Sequence, residues 1–157
     1  MKIKGLVDED FLQYKKPSMF IICPHCSFKC DKEYGTKICQ NCELANSKII
    51  DIDNDKIVDR YMNNQITKAI VFGGLEPFDT FDELFGLILS FREKTKDDIV
   101  IYTGYRNDEI EKEIDKLTIF ENIIVKFGRY IPDQEKHYDS ILGIMLASNN
   151  QYGCKIS

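Results

Sequence analysis

No stretch of this sequence approaches the roughly 20 consecutive apolar residues that a membrane-spanning helix needs. The opening Met1-Lys-Ile-Lys-Gly-Leu-Val-Asp8-Glu9-Asp10 breaks off in acids before the apolar centre of a secretory signal could form. A soluble, cytoplasmic protein with no membrane partner is therefore expected. The chain also lacks a surplus of basic residues. Its 21 Lys and Arg stand against 26 Asp and Glu, a formal net charge of -5, which argues against a nucleic-acid partner because phosphate binding rests on clustered cations. Repeats, low-complexity tracts and linkers are missing too. The 157 residues are thus expected to form a single domain spanning 1–157, large enough to bury a core without disulfide staples. The acidic run Asp51 to Asp55 lacks the central Gly and terminal Glu of a calcium loop and reads as a solvated turn.

What the chain does have is cysteine in one place. Five of its six cysteines, Cys23, Cys26, Cys30, Cys39 and Cys42, fall within 20 residues. In a chain without a secretory signal such density points to metal ligation, because thiolates are preferred ligands of zinc and iron and the cytosol keeps them reduced. Two readings stand side by side. Cys23-Pro-His-Cys26 and Cys39-Gln-Asn-Cys42 are two C-x2-C knuckles able to close a four-thiolate zinc site, the mark of a small α/β binding module. That reading leaves Cys30 spare. Alternatively, Cys26, Cys30 and Cys39 hold an iron-sulfur cluster. Three thiolates on a four-iron cluster leave one iron open to chelate a small molecule. Cys154, alone near the C-terminus, reads as a small buried hydrophobe or a free thiol. His25 reads as solvent-facing and His137 as a loop residue.

The remaining pattern alternates strands with helices. Ser18 to Ile22 is a short apolar run of the buried-strand kind, and a further short strand is expected around Ile49 and Ile50. Asp55, as N-cap, opens a helix to Asn63 with Ile57, Val58, Tyr61 and Met62 on one face. Lys68 to Phe72 is a second strand, followed by Gly73-Gly74-Leu75-Glu76-Pro77. Thr80 and Glu83 form a capping box for a helix whose stripe is Phe81, Leu84, Phe85, Ile88 and Leu89. Ile99 to Tyr102 makes a third strand ending in Thr103-Gly104-Tyr105, and Asn107 caps a helix facing inward through Ile110, Ile114 and Leu117. Asn122 to Phe127 is a fourth strand, Gly128 to Asp139 a loop, and Ile141 to Ala147 an apolar segment of undefined type. Such alternation implies an α/β fold with a mostly parallel sheet, whose strand carboxyl ends collect ligands. Here those ends carry the cysteine stretch, the Gly-Gly-Leu-Glu-Pro segment and Thr-Gly-Tyr.

Taken together, these three segments resemble a known family. Cys26-Ser-Phe-Lys-Cys30 through Cys39-Gln-Asn41 is similar to the cluster loop of the radical S-adenosylmethionine (SAM) superfamily, Gly73 to Pro77 to its Gly-Gly-Glu-Pro motif, and Tyr102 to Tyr105 to its next strand end. Small size, Thr-Gly-Tyr and Asn150-Gln151 resemble the activating proteins of anaerobic ribonucleoside-triphosphate reductases, over residues 17 to 153. Two features depart from the superfamily's pattern. Its C-x3-C-x2-C becomes a spacing with eight residues between Cys30 and Cys39, an insertion that keeps Ile38 and Asn41 in register and leaves Cys42 as an alternative third ligand. Leu75 is an addition to the Gly-Gly-Glu-Pro motif.

The resemblance implies an incomplete parallel (βα) barrel with its cluster loop at 23–42. It implies a 4Fe-4S cluster on Cys26, Cys30 and Cys39, and reductive cleavage of SAM to a 5'-deoxyadenosyl radical that installs a glycyl radical on a large anaerobic ribonucleotide reductase, the alternative within the superfamily being a radical SAM enzyme with a different substrate. A flavodoxin-like or other low-potential donor would supply the electron. Gly73, Gly74, Glu76 and Pro77 would meet the methionine part of SAM, with Glu76 near its ammonium. Ile38 would pack on adenine, Asn41 would belong to the cluster loop, and Thr103, Gly104 and Asn150 would surround ribose or methionine.

Overall fold

A computed structural model describes all 157 residues. Its centre is four parallel strands, β3 (Ser18–Ile22), β5 (Ala69–Gly73), β6 (Asp98–Tyr102) and β7 (Ile123–Phe127), adjacent in chain order. These are the four strands expected from the apolar runs, and they are apolar at nearly every position because both faces of the sheet are covered. Period-2 alternation divides their side chains. Met19, Ile21, Ile70, Phe72, Ile99, Ile101, Ile123 and Val125 enter the larger core, while Ala69, Val71, Val100 and Ile124 enter a smaller one behind it.

Three helices supply the larger core. α2 (Asn54–Met62) buries Ile57, Val58 and Tyr61, α3 (Phe81–Arg92) buries Leu84, Leu87, Ile88 and Phe91, and α4 (Glu111–Leu117) buries Ile114 and Leu117. All three lie against one sheet face, because sequential parallel strands joined by right-handed crossovers place every crossover on the same side. The opposite face is covered thinly by Tyr14, Leu142 and Leu146, with Ile144 at the margin. Tyr14 comes from the segment that leads into β3. Leu142 and Leu146 come from the hairpin of β8 (His137–Asp139) and β9 (Ile144–Leu146).

The sheet edges are antiparallel. β2 (Gly5–Asp10) pairs with β3, with a bulge between Val7 and Asp10, and β10 (Tyr152–Lys155) pairs with β7. Neither was expected from the sequence, since charged or mixed edge strands show little apolar pattern; the acids of β2 also discourage further pairing. β1 (Lys2–Ile3) pairs with β4 (Ile50–Asp51), the short strand expected near Ile49.

Several local expectations differ from the structure. Asp53, not Asp55, occupies the N-cap of α2, without a side-chain bond. The Thr80–Glu83 capping box does not form. A 3-10 turn (Pro77–Thr80) runs straight into α3, Glu83 instead accepts the Lys2 N–H at 2.6 Å, and the Thr80 hydroxyl is buried without a partner. Asn107 opens a 3-10 turn (Asn107–Glu109) rather than capping α4. Leu89 and Met62, expected inward, are about half exposed, at 47% and 48%. His137 lies within β8 rather than a loop. No helix is long and apolar enough to cross a membrane.

Candidate functional site

The carboxyl ends of β3, β5 and β6 converge on a cavity of about 490 Å³, lined by Cys26, Cys30, Cys39, Asn41, Gly74, Glu76, Thr103 and Gly104 among others. Ile38 and Asn150 line a neighbouring cavity of about 370 Å³ that shares Cys30 and Arg129 with the first. Gly73 and Pro77 line neither. The Gly73 carbonyl accepts Cys23 N–H at 2.9 Å and Leu75 N–H at 3.0 Å. A Cβ there would stand 3.1 Å from the Phe20 ring and 3.3 Å from Tyr102 Cβ. Pro77 is buried at the start of its 3-10 turn.

Glu76 joins the converging segments. Its Oε1 accepts the Thr103 hydroxyl at 2.8 Å and Phe78 N–H at 3.2 Å, its Oε2 accepts Gly104 N–H at 2.9 Å, and its own N–H donates to the His25 carbonyl at 2.9 Å. Burial pushes the carboxyl up to about 7, against the opposing pull of the Gly104, Thr103 and Phe78 donors. The side chain thereby shapes the site by holding backbone. Gly74 precedes it at φ +77°, where a Cβ would lie 2.7 Å from Ile22 Cγ2, so close approach and left-handed backbone both call for glycine.

The cysteines have separate surroundings. Cys23 follows β3, is fully buried and belongs to the main core, so one half of the first C-x2-C knuckle is committed to packing. Cys26 Sγ accepts Phe28 N–H at 3.3 Å, and burial pushes its thiol up to about 12. The Cys30 thiol is also raised, again chiefly by burial. Cys42 begins a 3-10 turn (Cys42–Asn46) outside the main cavity. Cys154 sits half-buried in β10 against the main core. No three His, Cys, Asp or Glu side chains are drawn around one point at metal-holding distance. The two sets of thiols differ in placement: Cys26, Cys30 and Cys39 share one cavity, whereas the zinc set includes Cys23, committed to the core, and Cys42, outside that cavity.

Two cationic residues on the cavity wall escaped the sequence reading. Lys126 is buried near the end of β7, donates to the Gly128 carbonyl at 2.9 Å, and is drawn down to about 8 by burial, partly offset by Glu76. The signal was present, since a lysine inside the apolar run Ile123-Ile-Val-Lys-Phe needs a polar destination. Arg129, 7% exposed, makes a two-pronged pair with Glu109, both contacts at 2.7 Å, and reaches Glu33 at 3.2 Å. Those Arg129 hydrogen bonds hold the Glu109 carboxyl near 2. Lys29 lies over the Tyr105 ring, 4.3 Å from its centroid, and the Tyr105 hydroxyl donates to Asp79 at 2.6 Å. Asp79 also accepts the Ser27 N–H. Ser27, Lys29 and Glu33 all belong to the cysteine segment, so this network ties it to the ends of β6 and β7.

A family model described as "4Fe-4S single cluster domain" matches residues 18–151. The chain belongs to this family. The match runs from β3 through Gln151 and so takes in the cysteine segment and all four parallel strands. Neither a comparison with curated proteins nor one with solved structures finds a match. A 4Fe-4S single cluster domain needs several thiolates directed to one place. Cys26, Cys30 and Cys39 line one cavity. The iron-sulfur reading of the cysteines therefore stands over the zinc reading.

Proposed function

We propose that this protein is a radical SAM activase: with SAM at a 4Fe-4S cluster held by Cys26, Cys30 and Cys39, it installs a glycyl radical on an anaerobic ribonucleotide reductase. One observation carries the reading. The three thiols, Gly74, Glu76 and the Thr103–Gly104 strand end, which the superfamily's motifs would bring together, line a single cavity. When bound, such a cluster would supply the electron for reductive cleavage of SAM to methionine and a 5'-deoxyadenosyl radical, the species that would take a hydrogen atom from a partner glycine. A flavodoxin-like or other low-potential donor delivers that electron.

The chain's own part is to hold and orient SAM. Gly74, on the cavity wall, admits the methionine moiety close to backbone, and Glu76 fixes that backbone through Thr103, Gly104 and Phe78. Lys126 places a buried cation on the wall, suited to the SAM carboxylate. Ile38 and Asn150 would meet SAM from the adjoining cavity, and Asn41, on the main cavity wall, would stand beside the bound cofactors. Sequential parallel strands with all helices on one face are also what a segment of a (βα) barrel has. We read the fold as such an incomplete barrel, open toward a large protein substrate.

The test is replacement of Cys26, Cys30 and Cys39 by Ala in the full chain. Reconstituted wild type is expected to bind about four irons and to cleave SAM with dithionite, and the triple variant to do neither. SAM cleavage by the triple variant would sink the assignment. Appearance of a glycyl-radical signal on a candidate reductase only when this protein, SAM and reductant are all present identifies the partner.

A further inference from the structure

The eight residues between Cys30 and Cys39 must return the chain to its starting point if both thiols serve one cluster. Packing does not bring them back. α1 (Lys29–Tyr34) buries no residue, and positions 32–37 are all exposed. Gly35, at φ +83°, ends the helix by donating to the Asp31 carbonyl at 3.0 Å. The returning strand of the loop then donates to the same residue's side chain: Asp31 Oδ1 accepts Ile38 N–H at 2.9 Å and Cys39 N–H at 2.8 Å. The Cys30 thiol donates to that oxygen at 4.0 Å. One carboxylate oxygen thus gathers Cys30, Ile38 and Cys39, while Cys42, in the following 3-10 turn, makes no hydrogen bond to it.

We propose that Asp31 is a positioning residue that folds this long gap shut and thereby makes Cys39, not Cys42, the third cluster ligand. The proposal rests on the iron-sulfur reading above and deepens it. Closing an exposed, unpacked loop costs chain entropy. Two charge-assisted hydrogen bonds to one carboxylate offset that cost in a loop whose residues 31–37 include none that is buried. The arrangement also explains how an expanded spacing serves the same purpose as a short one, since the distance that matters to the cluster is set by the carboxylate rather than by residue count.

The experiment compares wild type, Asp31→Ala, Asp31→Asn and Cys42→Ala, each as the full chain reconstituted anaerobically with iron and sulfide. The readouts are iron per chain and the rate at which a chelator strips it. Because Asp31 touches no core residue, the alanine variant is expected to keep the apo unfolding midpoint of wild type. It is expected to lose iron at least about ten-fold faster, the effect of roughly 1.4 kcal/mol. Asp31→Asn retains a neutral acceptor oxygen and should lose iron at a rate between those of wild type and Asp31→Ala, while Cys42→Ala should stay within about two-fold of wild type. Wild-type iron retention by Asp31→Ala would overturn this proposal and leave the iron-sulfur reading standing, as would equal losses from the Ala and Asn variants. Loss of the cluster from Cys42→Ala would do the same. Failure of wild type to take up iron would overturn both.

Discussion

Glu76 is the residue through which pH acts most directly on this site. Its folded value of about 7 lies above the ordinary carboxyl value of about 4.3, so the folded chain binds this proton more tightly than the unfolded one. Its contribution to stability is fully present below about pH 4.3 and is lost as pH rises through 7. Glu109 works in the opposite sense: held near 2 by Arg129, it contributes above about pH 4.3 and loses that contribution as pH falls toward 2. The two windows do not overlap. Between pH 5 and 8 the unfolding free energy of the wild type should therefore fall by a few kcal/mol through Glu76, and Glu76→Gln should flatten that slope even if its absolute stability is lower. Urea titrations at four or five pH values would decide it; equal slopes would mean that the Glu76 carboxyl titrates normally.

At the level of elements, the turn after β5 depends on Gly74 and much less on Gly104, although both line the cavity. Gly74 needs a left-handed backbone, which costs an L-residue about 1–2 kcal/mol, and its Cβ would press on Ile22 in the neighbouring strand. Gly104 is not in the left-handed region, and a Cβ there meets its closest neighbours at an ordinary 3.6 Å. Gly74→Ala is expected to cost about 2 kcal/mol or more, and to displace Glu76 from Thr103. Gly104→Ala should cost under about 1 kcal/mol. Denaturant midpoints of the two variants test the contrast, and similar losses would show that the turn tolerates a side chain. The tie formed by Arg129, Glu109, Tyr105 and Asp79 acts at the same level, because it joins two 3-10 turns and the ends of β6 and β7 to Ser27, Lys29 and Glu33 of the cysteine segment.

Across the whole molecule, burial is uneven. The larger core lies between the helices and the sheet, while the segment from Cys26 to Asn46 contributes no fully buried residue. Metal that binds only the folded arrangement stabilises it by mass action, and the gain should be local where the core does not extend. Removing iron with a chelator is expected to raise amide exchange in residues 26–46 by at least ten-fold. Protection in β3, β5, β6 and β7 should be little altered, because those strands open only with the core. Hydrogen exchange measured with and without iron reports this directly. Loss of protection throughout the sheet would instead mean that the cluster is required for the fold.

Several things were determined by the sequence alone. Four apolar runs separated by helical periodicities are enough to specify a mostly parallel sheet, because only strands covered on both faces can be apolar at successive positions. The cysteine density, Gly-Gly-Leu-Glu-Pro and Thr-Gly-Tyr marked the strand ends that line the main cavity, because loops there are polar, glycine-containing and close to one another in any such fold. The helix starts at Thr80 and Asn107 were less legible, since a side chain able to cap a helix also finds competing partners or a preceding 3-10 turn. The edge strands β2 and β10 were hidden for a related reason: a strand with one exposed edge needs no continuous apolar pattern, and its pairing is set by its neighbour. Only the tertiary structure decided that Cys23 belongs to the core, that Lys126 and Arg129 stand on the cavity wall, and that Ile38 and Asn150 lie in the adjoining cavity. It also decided which carboxylate draws Cys39 toward Cys30. Each of these is a meeting between side chains distant in sequence or turned by a loop, and direction in space is not encoded by residue type or spacing.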